Sequence, residues 1–255
     1  MRMVIKVGTS TLAHPTGKLN IRRTGELCNV ISDLKNAGHE IVLVSSGAIG
    51  MGVGKLALKE KPTDIPTKQA AAAVGQCELM YTYDRLFLQH NHTVAQILLT
   101  GSDFTAEDRH ENFNNTIKRL LELGALPIIN ENDTIATEEI KVGDNDTLSA
   151  LVACSVKADV LVILSDVDGL YSADPHKDKT AKRIDEVYGV DDELFALAGG
   201  VGSALGTGGM RTKLTAAKLA GESGVDTVIA NGETPELLYD IASGKKGAYT
   251  RFYAK

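Results

Sequence analysis

The sequence predicts an α/β protein, a three-layer αβα sandwich whose open sheet is mainly parallel. Short apolar runs of strand length alternate along the chain with longer segments whose apolar residues recur at helical spacing. Parallel strands need crossover connections, so this alternation favours βαβ units. The apolar runs also end in Gly, Ser, Asn or Asp. Since ligands of open α/β sheets bind beyond the carboxyl ends of the strands, these loops predict one shared site.

The individual elements follow from local patterns. Each predicted strand is a short apolar run that stops at turn residues. The predicted strands are 3–8, 40–47, 93–100, 126–133, 159–169 and, as the last clear one, 226–232. The helices between them show apolar residues three and four positions apart. The predicted helices are 22–37, 67–90, 104–123, 146–157 and 210–223.

Composition narrows the class of protein. A chain of 255 residues can bury one large core or two lobes that share a sheet. The net charge of −6 argues against nucleic acid as the main partner. The widely spaced Cys28, Cys77 and Cys154 form no metal or redox pair and fit reduced core thiols. No signal peptide or apolar run of membrane-spanning length is present, so we expect a cytoplasmic protein without a membrane partner.

The segment GTGGMRTK at 206–213 is a glycine-rich loop that ends in lysine. It is not a Walker A loop, because Lys213 is followed by Leu214 where that motif needs Ser or Thr. It is not a dinucleotide fingerprint either, because Arg211 stands at the place of the third glycine. Taken alone, the loop is either a phosphate-binding loop or an ordinary surface loop.

Lys6 lies inside the apolar run VIKVG. An unpaired buried lysine is costly, so its ammonium must reach either solvent or an anion. The neighbouring Gly8, Thr9 and Ser10 favour an anion, because their amides and hydroxyls can surround its oxygens. Lys213 adds a second cation at the start of a predicted helix. Two lysines and two glycine loops predict phosphoryl transfer, in which positioning and charge neutralisation dominate.

Seven segments, in chain order, resemble the amino acid kinase family. They are IKVGTS (5–10), VSSGAIG (44–50), AAVGQ (72–76), INENDTIAT (129–137), EIKVGDNDTLSA (139–150), SDVDGLYSADP (165–175) and GTGGMRTK (206–213). The match runs to about residue 245. VGDND and GTGGMRTK resemble the branch that phosphorylates glutamate more than those acting on acetylglutamate, aspartate, UMP or carbamate.

The resemblance implies ATP-dependent phosphorylation of the γ-carboxylate of L-glutamate, which yields L-glutamyl 5-phosphate and ADP and begins proline synthesis. It implies ATP and Mg²⁺ as cofactors, with the metal carried by the nucleotide. It assigns catalysis to Lys6, Lys213 and Asp146, and glutamate binding to Ser46, Gly47, Asn130, Asp133 and Asn145. It assigns ATP binding to Lys6, Gly8, Thr9, Ser165, Asp166, Thr207, Gly208, Gly209, Met210, Arg211, Thr212 and Lys213. Ser165 departs mildly from the threonine of many members, but keeps the hydroxyl.

The residues agree with a carboxylate acceptor. The motif loops contain no histidine or carboxylate–histidine pair to serve as a base. A carboxylate is already ionised at neutral pH and needs none, whereas an alcohol would.

Further expectations concern organisation and partners. The resemblance implies an acceptor lobe at about 1–150 and a nucleotide lobe at about 151–255, and we expect one kinase domain without the C-terminal PUA domain of many members. It also implies a homo-oligomer (dimer or tetramer), proline as a feedback inhibitor, and transfer of product to glutamyl phosphate reductase. Segment 52–67 is interpreted as a mobile loop over the acceptor site or as a plain surface loop. Two alternatives stay open: a sister kinase acting on another small acid or UMP, and a catalytically silent nucleotide-binding regulator.

Overall fold

The computed structural model describes residues 1–14, 16, 18–136, 144–173, 178–198 and 209–254. Its strands are β1 (Arg2–Val7), β2 (Glu40–Ser45), β3 (Val94–Leu99), β4 (Leu126–Glu131), β5 (Val160–Ser165), β6 (Leu170–Tyr171), β7 (Arg183–Ile184), β8 (Glu186–Tyr188), β9 (Asp226–Asn231) and β10 (Tyr249–Tyr253). Its helices are α1 (Thr9–Leu12), α2 (Ile21–Asn36), α3 (Ala48–Lys55), α4 (Ile65–Leu88), α5 (Ser102–Thr105), α6 (Glu107–Glu122), α7 (Asn145–Ser155), α8 (Asp192–Ala198), α9 (Met210–Glu222) and α10 (Leu237–Ala242).

The main sheet has the strand order β3-β4-β2-β1-β5-β9-β10-β8 in the described part of the chain. Its neighbouring strands are parallel, except that β10 runs antiparallel to β9. β1 lies near the centre, with Lys6 in register with Val44 on one side and Ile163 on the other. This arrangement confirms the predicted α/β class and the mainly parallel sheet.

Two hydrophobic cores, one on each face of the sheet, make the fold a three-layer sandwich. On one face, Val4 packs with Leu148 of α7 and Leu214 of α9. On the other face, Ile5 packs with residues of α2, α4 and α10, such as Tyr83. Side chains alternate between the faces of a strand, so Lys6 shares the face of Val4 and points towards α7 and α9.

The observed elements differ from the predicted ones mainly near the C-terminus. The predicted helix 104–123 is divided into α5 and α6, because Ala106 takes an extended conformation between them. Four strands (β6, β7, β8 and β10) and helices α1, α3, α8 and α10 were not predicted. The segment YTRFY at 249–253 carries the aromatic and β-branched residues typical of a strand.

The interpretation of 52–67 as a loop is wrong at both ends, because 52–55 belong to α3 and 65–67 to α4. Glycine here permits close helix packing instead of loop mobility. A Cβ on Gly52 would lie 1.8 Å from the carbonyl oxygen of Ala71, and one on Gly75 would lie 1.7 Å from that of Ala48. Either position excludes any side chain, so α3 and α4 touch backbone to backbone.

Two smaller expectations have mixed outcomes. All three cysteines are free thiols. Cys28 is buried and Cys154 is half-buried, whereas Cys77 is exposed on α4 and is not a core residue. Among the described residues, no helix is long and apolar enough to cross a membrane.

Candidate active site

The carboxyl ends of β1 and β2 lead into α1 and α3, whose first turns are open, and α9 begins with an open first turn as well. α1, α3 and α9 each have a glycine as N-cap (Gly8, Gly47 and Gly209), and no side-chain bond caps any of the three in the described structure. The N–H groups of a first helical turn lack partners within the helix. They are therefore available to an anion in the crevice beyond β1 and β2 and at the start of α9. Gly47 has φ +103°, a left-handed conformation that favours glycine.

Three charged side chains from three separate elements meet in this crevice. The Nζ atom of Lys6 (β1) lies 2.6 Å from Oδ1 of Asp146, at the start of α7. The Nζ atom of Lys213 (α9) lies 3.2 Å from Oδ2 of the same carboxylate. Asp146 is 1% exposed, Lys213 5% and Lys6 8%. The hydroxyl of Thr212 donates to Oδ2 at 2.7 Å. Asp146 thus bridges two nearly buried ammonium groups.

The electrostatics of Asp146 follow from this geometry. Burial by itself raises the pKa of a carboxyl group, but the charges of Lys6 and Lys213 and the bond from Thr212 outweigh it, so the pKa of Asp146 lies below its ordinary value. Asp146 is therefore ionised at neutral pH, and the three groups together carry a net positive charge. The neighbouring Asp144 responds oppositely, because burial and then the charge of Asp146 raise its pKa.

Asn145 joins the site to β2 and β4. Its Nδ2 atom donates to Oγ of Ser46 at 2.8 Å and to Oδ1 of Asn130 at 3.0 Å, and lies 3.2 Å from the carbonyl oxygen of Ser45. The structure thus brings together three of the residues assigned to glutamate. Gln76, which the site prediction did not include, is hydrogen-bonded to this group, because Nδ2 of Asn130 donates to its Oε1 at 3.0 Å. The quoted segment AAVGQ contains Gln76, but nothing in its spacing indicated this partner.

The remaining predicted residues occupy less central positions. Asp133 is half-buried in the turn after β4. Thr9 is exposed beside Gly47, since a Cβ on that glycine would lie 3.9 Å from Oγ1 of Thr9. A Cβ on Gly8 would lie 3.6 Å from Nζ of Lys6, which places this loop against the ammonium group.

Among the residues assigned to ATP, Ser165 ends β5 and donates from Oγ to Oδ1 of the exposed Asp166 at 2.9 Å. Gly209 caps α9, and Met210 is buried in its first turn. Arg211 is exposed and lies over the ring of Phe195, 5.8 Å from the centroid. Thr207 and Gly208 lie outside the described residues.

A groove of about 940 Å³ lies beside the first residues of α1 and α3. It runs between the segment after α1 and the segment after α3, and Lys6, Asp146 and Lys213 do not line it. Its lining includes Thr9, Ser10, Arg22, Gly50 and Lys61.

No group of three or more His, Cys, Asp or Glu residues could hold a metal ion within the described ranges. Magnesium that enters with a nucleotide needs no such cage, because phosphate oxygens and water fill most of its ligand positions. The exposed carboxylate of Asp166 fits this mode of binding, since it can approach a hydrated ion.

Comparisons with known proteins identify the family of the chain. The model of the amino acid kinase family matches residues 1–231, and the chain belongs to that family. Its sequence relatives include glutamate 5-kinases. The enzyme of Clostridium acetobutylicum is 55% identical over 240 residues, which cover 94% of this chain and 90% of that one. That of Clostridium perfringens is 52% identical over 258 residues, covering 100% and 96%. The glutamate 5-kinase of Caldanaerobacter subterraneus is 52% identical over 246 residues, 96% of this chain and 66% of the longer relative.

Solved structures confirm the fold. Carbamate kinase from Giardia lamblia, bound to AMP-PNP, has a TM-score of 0.67 at 19% identity, over 99% of this chain and 98% of that one. UMP kinase from Ureaplasma parvum has the same TM-score at 17% identity, with the same coverage. At these identities the likeness concerns the fold alone.

Proposed function

We propose that the protein transfers the γ-phosphoryl group of ATP to the γ-carboxylate of L-glutamate, giving L-glutamyl 5-phosphate and ADP, as the first step of proline synthesis. The observation that carries this proposal is the buried bridge of Asp146 between Lys6 and Lys213. The glutamate 5-kinase relatives support glutamate as the acceptor, and the place in proline synthesis rests on the resemblance.

The bridge suits a reaction between two anions. Phosphoryl transfer spreads negative charge over the equatorial oxygens of the moving group and over the leaving oxygen. Asp146 holds both ammonium groups in place before the reaction, so they need not reorganise as that charge develops. An acceptor carboxylate is already ionised at neutral pH, so no group has to remove a proton from it.

The acceptor lies, in this proposal, at the end formed by β2, β4 and α7. The open first turn of α3 after Gly47 offers N–H groups to a carboxylate of glutamate. Ser46, Asn130 and Asn145 supply polar atoms beside it. Asp133, in the turn after β4, supplies the negative charge that recognises a free α-ammonium.

The nucleotide lies at the other end, between the end of β5 and the first turn of α9. Ser165, Asp166 and residues 207–213 bind it, with Lys213 and the amides after Gly209 towards its phosphates. Magnesium bound to those phosphates would neutralise charge on the β- and γ-oxygens. This division corresponds to an acceptor lobe at about 1–150 and a nucleotide lobe at about 151–255.

We also propose that copies of the chain associate through the outward face of α4. The outward face of α4 carries an apolar row at helical spacing, Ala70, Cys77, Tyr81 and Leu88, of which Tyr81 is 58% and Leu88 65% exposed.

Proline inhibition and transfer of the product to glutamyl phosphate reductase rest on the resemblance alone.

Purified protein tests the function directly. With Mg-ATP and hydroxylamine, L-glutamate should yield a hydroxamate, while N-acetylglutamate, aspartate and UMP should support far less ADP formation. Equal turnover of glutamate and acetylglutamate would overturn the assignment, since the site is proposed to recognise a free α-ammonium. Preference for another acceptor would indicate a sister kinase. Nucleotide binding without turnover of any acceptor would indicate a silent regulator.

A further inference from the structure

Four amide side chains form a hydrogen-bonded row that begins at the site and ends on the edge strand β3. Asn145 donates to Asn130 at 3.0 Å, Asn130 donates to Gln76 at 3.0 Å, and Gln76 donates to Gln96 at 3.2 Å. Asn130 is 2% and Gln76 8% exposed, whereas Gln96 is exposed. The row therefore connects α7, β4, α4 and β3 through side chains alone.

The direction of every bond in the row is determined by backbone groups. The backbone N–H of Glu131 donates to Oδ1 of Asn130 at 2.9 Å, and an N–H cannot accept, so this atom must be the oxygen. The amide nitrogen of Asn130 therefore faces Gln76, whose Oε1 accepts. At the other end, the carbonyl oxygen of Ser45 and Oδ1 of Asn130 are both acceptors. Only the nitrogen of Asn145 can face them.

The orientation of Asn145 has a consequence for recognition. With Nδ2 turned towards Ser45 and Asn130, its Oδ1 lies at the other corner of the planar amide and points away from them. An oxygen accepts a hydrogen bond from an ammonium group, whereas an amide nitrogen would repel it. The orientation of this side-chain amide, with either Oδ1 or Nδ2 facing the substrate, thus decides whether Asn145 attracts or repels a free α-ammonium.

Gln76 is well placed to hold that state. It follows Gly75, where a Cβ would lie 1.7 Å from the carbonyl oxygen of Ala48, so the position of α4 is set by backbone contact with α3. Gln76 also accepts from the nitrogen of Asn130, which is buried and would otherwise lose a hydrogen-bond partner.

We infer that Gln76 is a positioning residue for the acceptor: by accepting from Nδ2 of Asn130, it stabilises the amide orientations that the backbone groups of Glu131 and Ser45 also favour, in which Asn145 presents its oxygen to the α-ammonium of the substrate. This inference rests on the proposed function. Gln76 does not touch the reacting atoms, so its effect falls on binding of the amino-bearing acceptor and not on the nucleotide.

The experiment compares Gln76→Leu, Gln76→Glu and the wild type, with Gln89→Leu as matched control, because Gln89 is exposed at the end of the same helix. Steady-state kinetics are measured for glutamate and ATP, and also for glutarate, which lacks the amino group. Gln76→Leu should raise KM for glutamate about 10-fold, because Asn130 loses one buried hydrogen bond that holds its orientation. The same substitution should change kcat and KM for ATP less than about 2-fold. Its preference for glutamate over glutarate should fall by a similar factor.

Gln76→Glu should recover most of the affinity, because its carboxylate accepts from Asn130 and the exposed Gln96 can turn its amide to donate. If Gln76→Leu does not fold, Gln76→Ala replaces it. Water that enters the space can donate as well as accept, so Asn130 still loses a partner that only accepts, its orientation is held less firmly, and KM for glutamate still rises.

An unchanged KM for glutamate in the leucine variant would overturn the inference, as would equal weakening of glutamate, glutarate and ATP, which would mark general damage. Failure of the wild type to phosphorylate glutamate would instead overturn the proposed function, and it is seen before any variant is compared.

Discussion

The Oδ1 atom of Asp146 lies 2.6 Å from the Nζ atom of Lys6, and neither side chain is more than a tenth exposed. The Nζ atom of Lys213 contacts the other carboxylate oxygen of Asp146, Oδ2. Removing Asp146 would leave two buried ammonium groups without a counter-charge, and removing either lysine would take away the excess positive charge of the trio. Each member should therefore be sensitive to substitution.

Lys6→Ala and Lys213→Ala should each lower kcat by ~10²- to 10³-fold, the scale for loss of one preorganised charge stabiliser. Lys218→Ala serves as the control, because Lys218 is exposed on the same helix as Lys213 and should leave kcat unchanged. Steady-state kinetics and circular dichroism check both points. A near-normal kcat with only a raised KM for ATP would make that lysine a binding residue.

Asp146→Asn should act mainly on kcat. The amide keeps the shape of the side chain and can still accept from Thr212, but it cannot neutralise two ammonium groups, which then move apart. An interaction that matters in the transition state appears in kcat. Kinetics with saturating glutamate and ATP measure the loss, and a change confined to KM would contradict the role.

Asp133→Asn should act mainly on KM for glutamate, since the α-ammonium that it is proposed to bind does not change during the reaction. Asp108→Asn, at an exposed position on α6, is the control. If Asp133→Asn lowers kcat while Asp146→Asn raises KM for glutamate, the acceptor and phosphoryl ends of the site are reversed.

The depressed pKa of Asp146 predicts how stability varies with pH. Its folded-state pKa lies below the ordinary value of 3.8, so the unfolded chain binds this proton more tightly. The carboxylate therefore contributes stability above about pH 4, and the contribution is lost as the pH falls through the folded-state pKa. Urea unfolding of the wild type and Asp146→Asn should show a difference in the free energy of unfolding that shrinks below about pH 4. A difference that is constant from neutral to acid pH would argue against the shift.

Gly75→Ala should destabilise the protein by about 1–3 kcal/mol, because its methyl group would overlap the carbonyl oxygen of Ala48 and force α3 and α4 apart. The control is Gly25→Ala in α2, where a Cβ meets nothing within 4 Å. That change should stabilise by about 0.5–1 kcal/mol through helix propensity. Thermal or urea unfolding distinguishes the two, and equal effects would contradict the packing argument.

The fold class and the central strands were predictable because apolar runs and turn residues are local signals. Segment 52–67 was misread because Gly52 indicates flexibility in sequence, while its role depends on Ala71, a residue of another helix. The same limit explains why Gln76 was omitted. Its partners Asn130 and Gln96 are distant in sequence, and one glutamine carries no mark of an amide row.

The central place of β1 has a consequence for how the chain reaches its native state. β1 is synthesised first but pairs on one side with β5, and Lys6 finds its counter-charge, Asp146, only when α7 has docked. These contacts close loops of well over 100 residues, which are slow to form. Until they form, burying the ammonium of Lys6 is unfavourable. Catalytic competence is therefore among the last properties to appear during refolding, and recovery of activity reports completion of the whole fold and not of its first half.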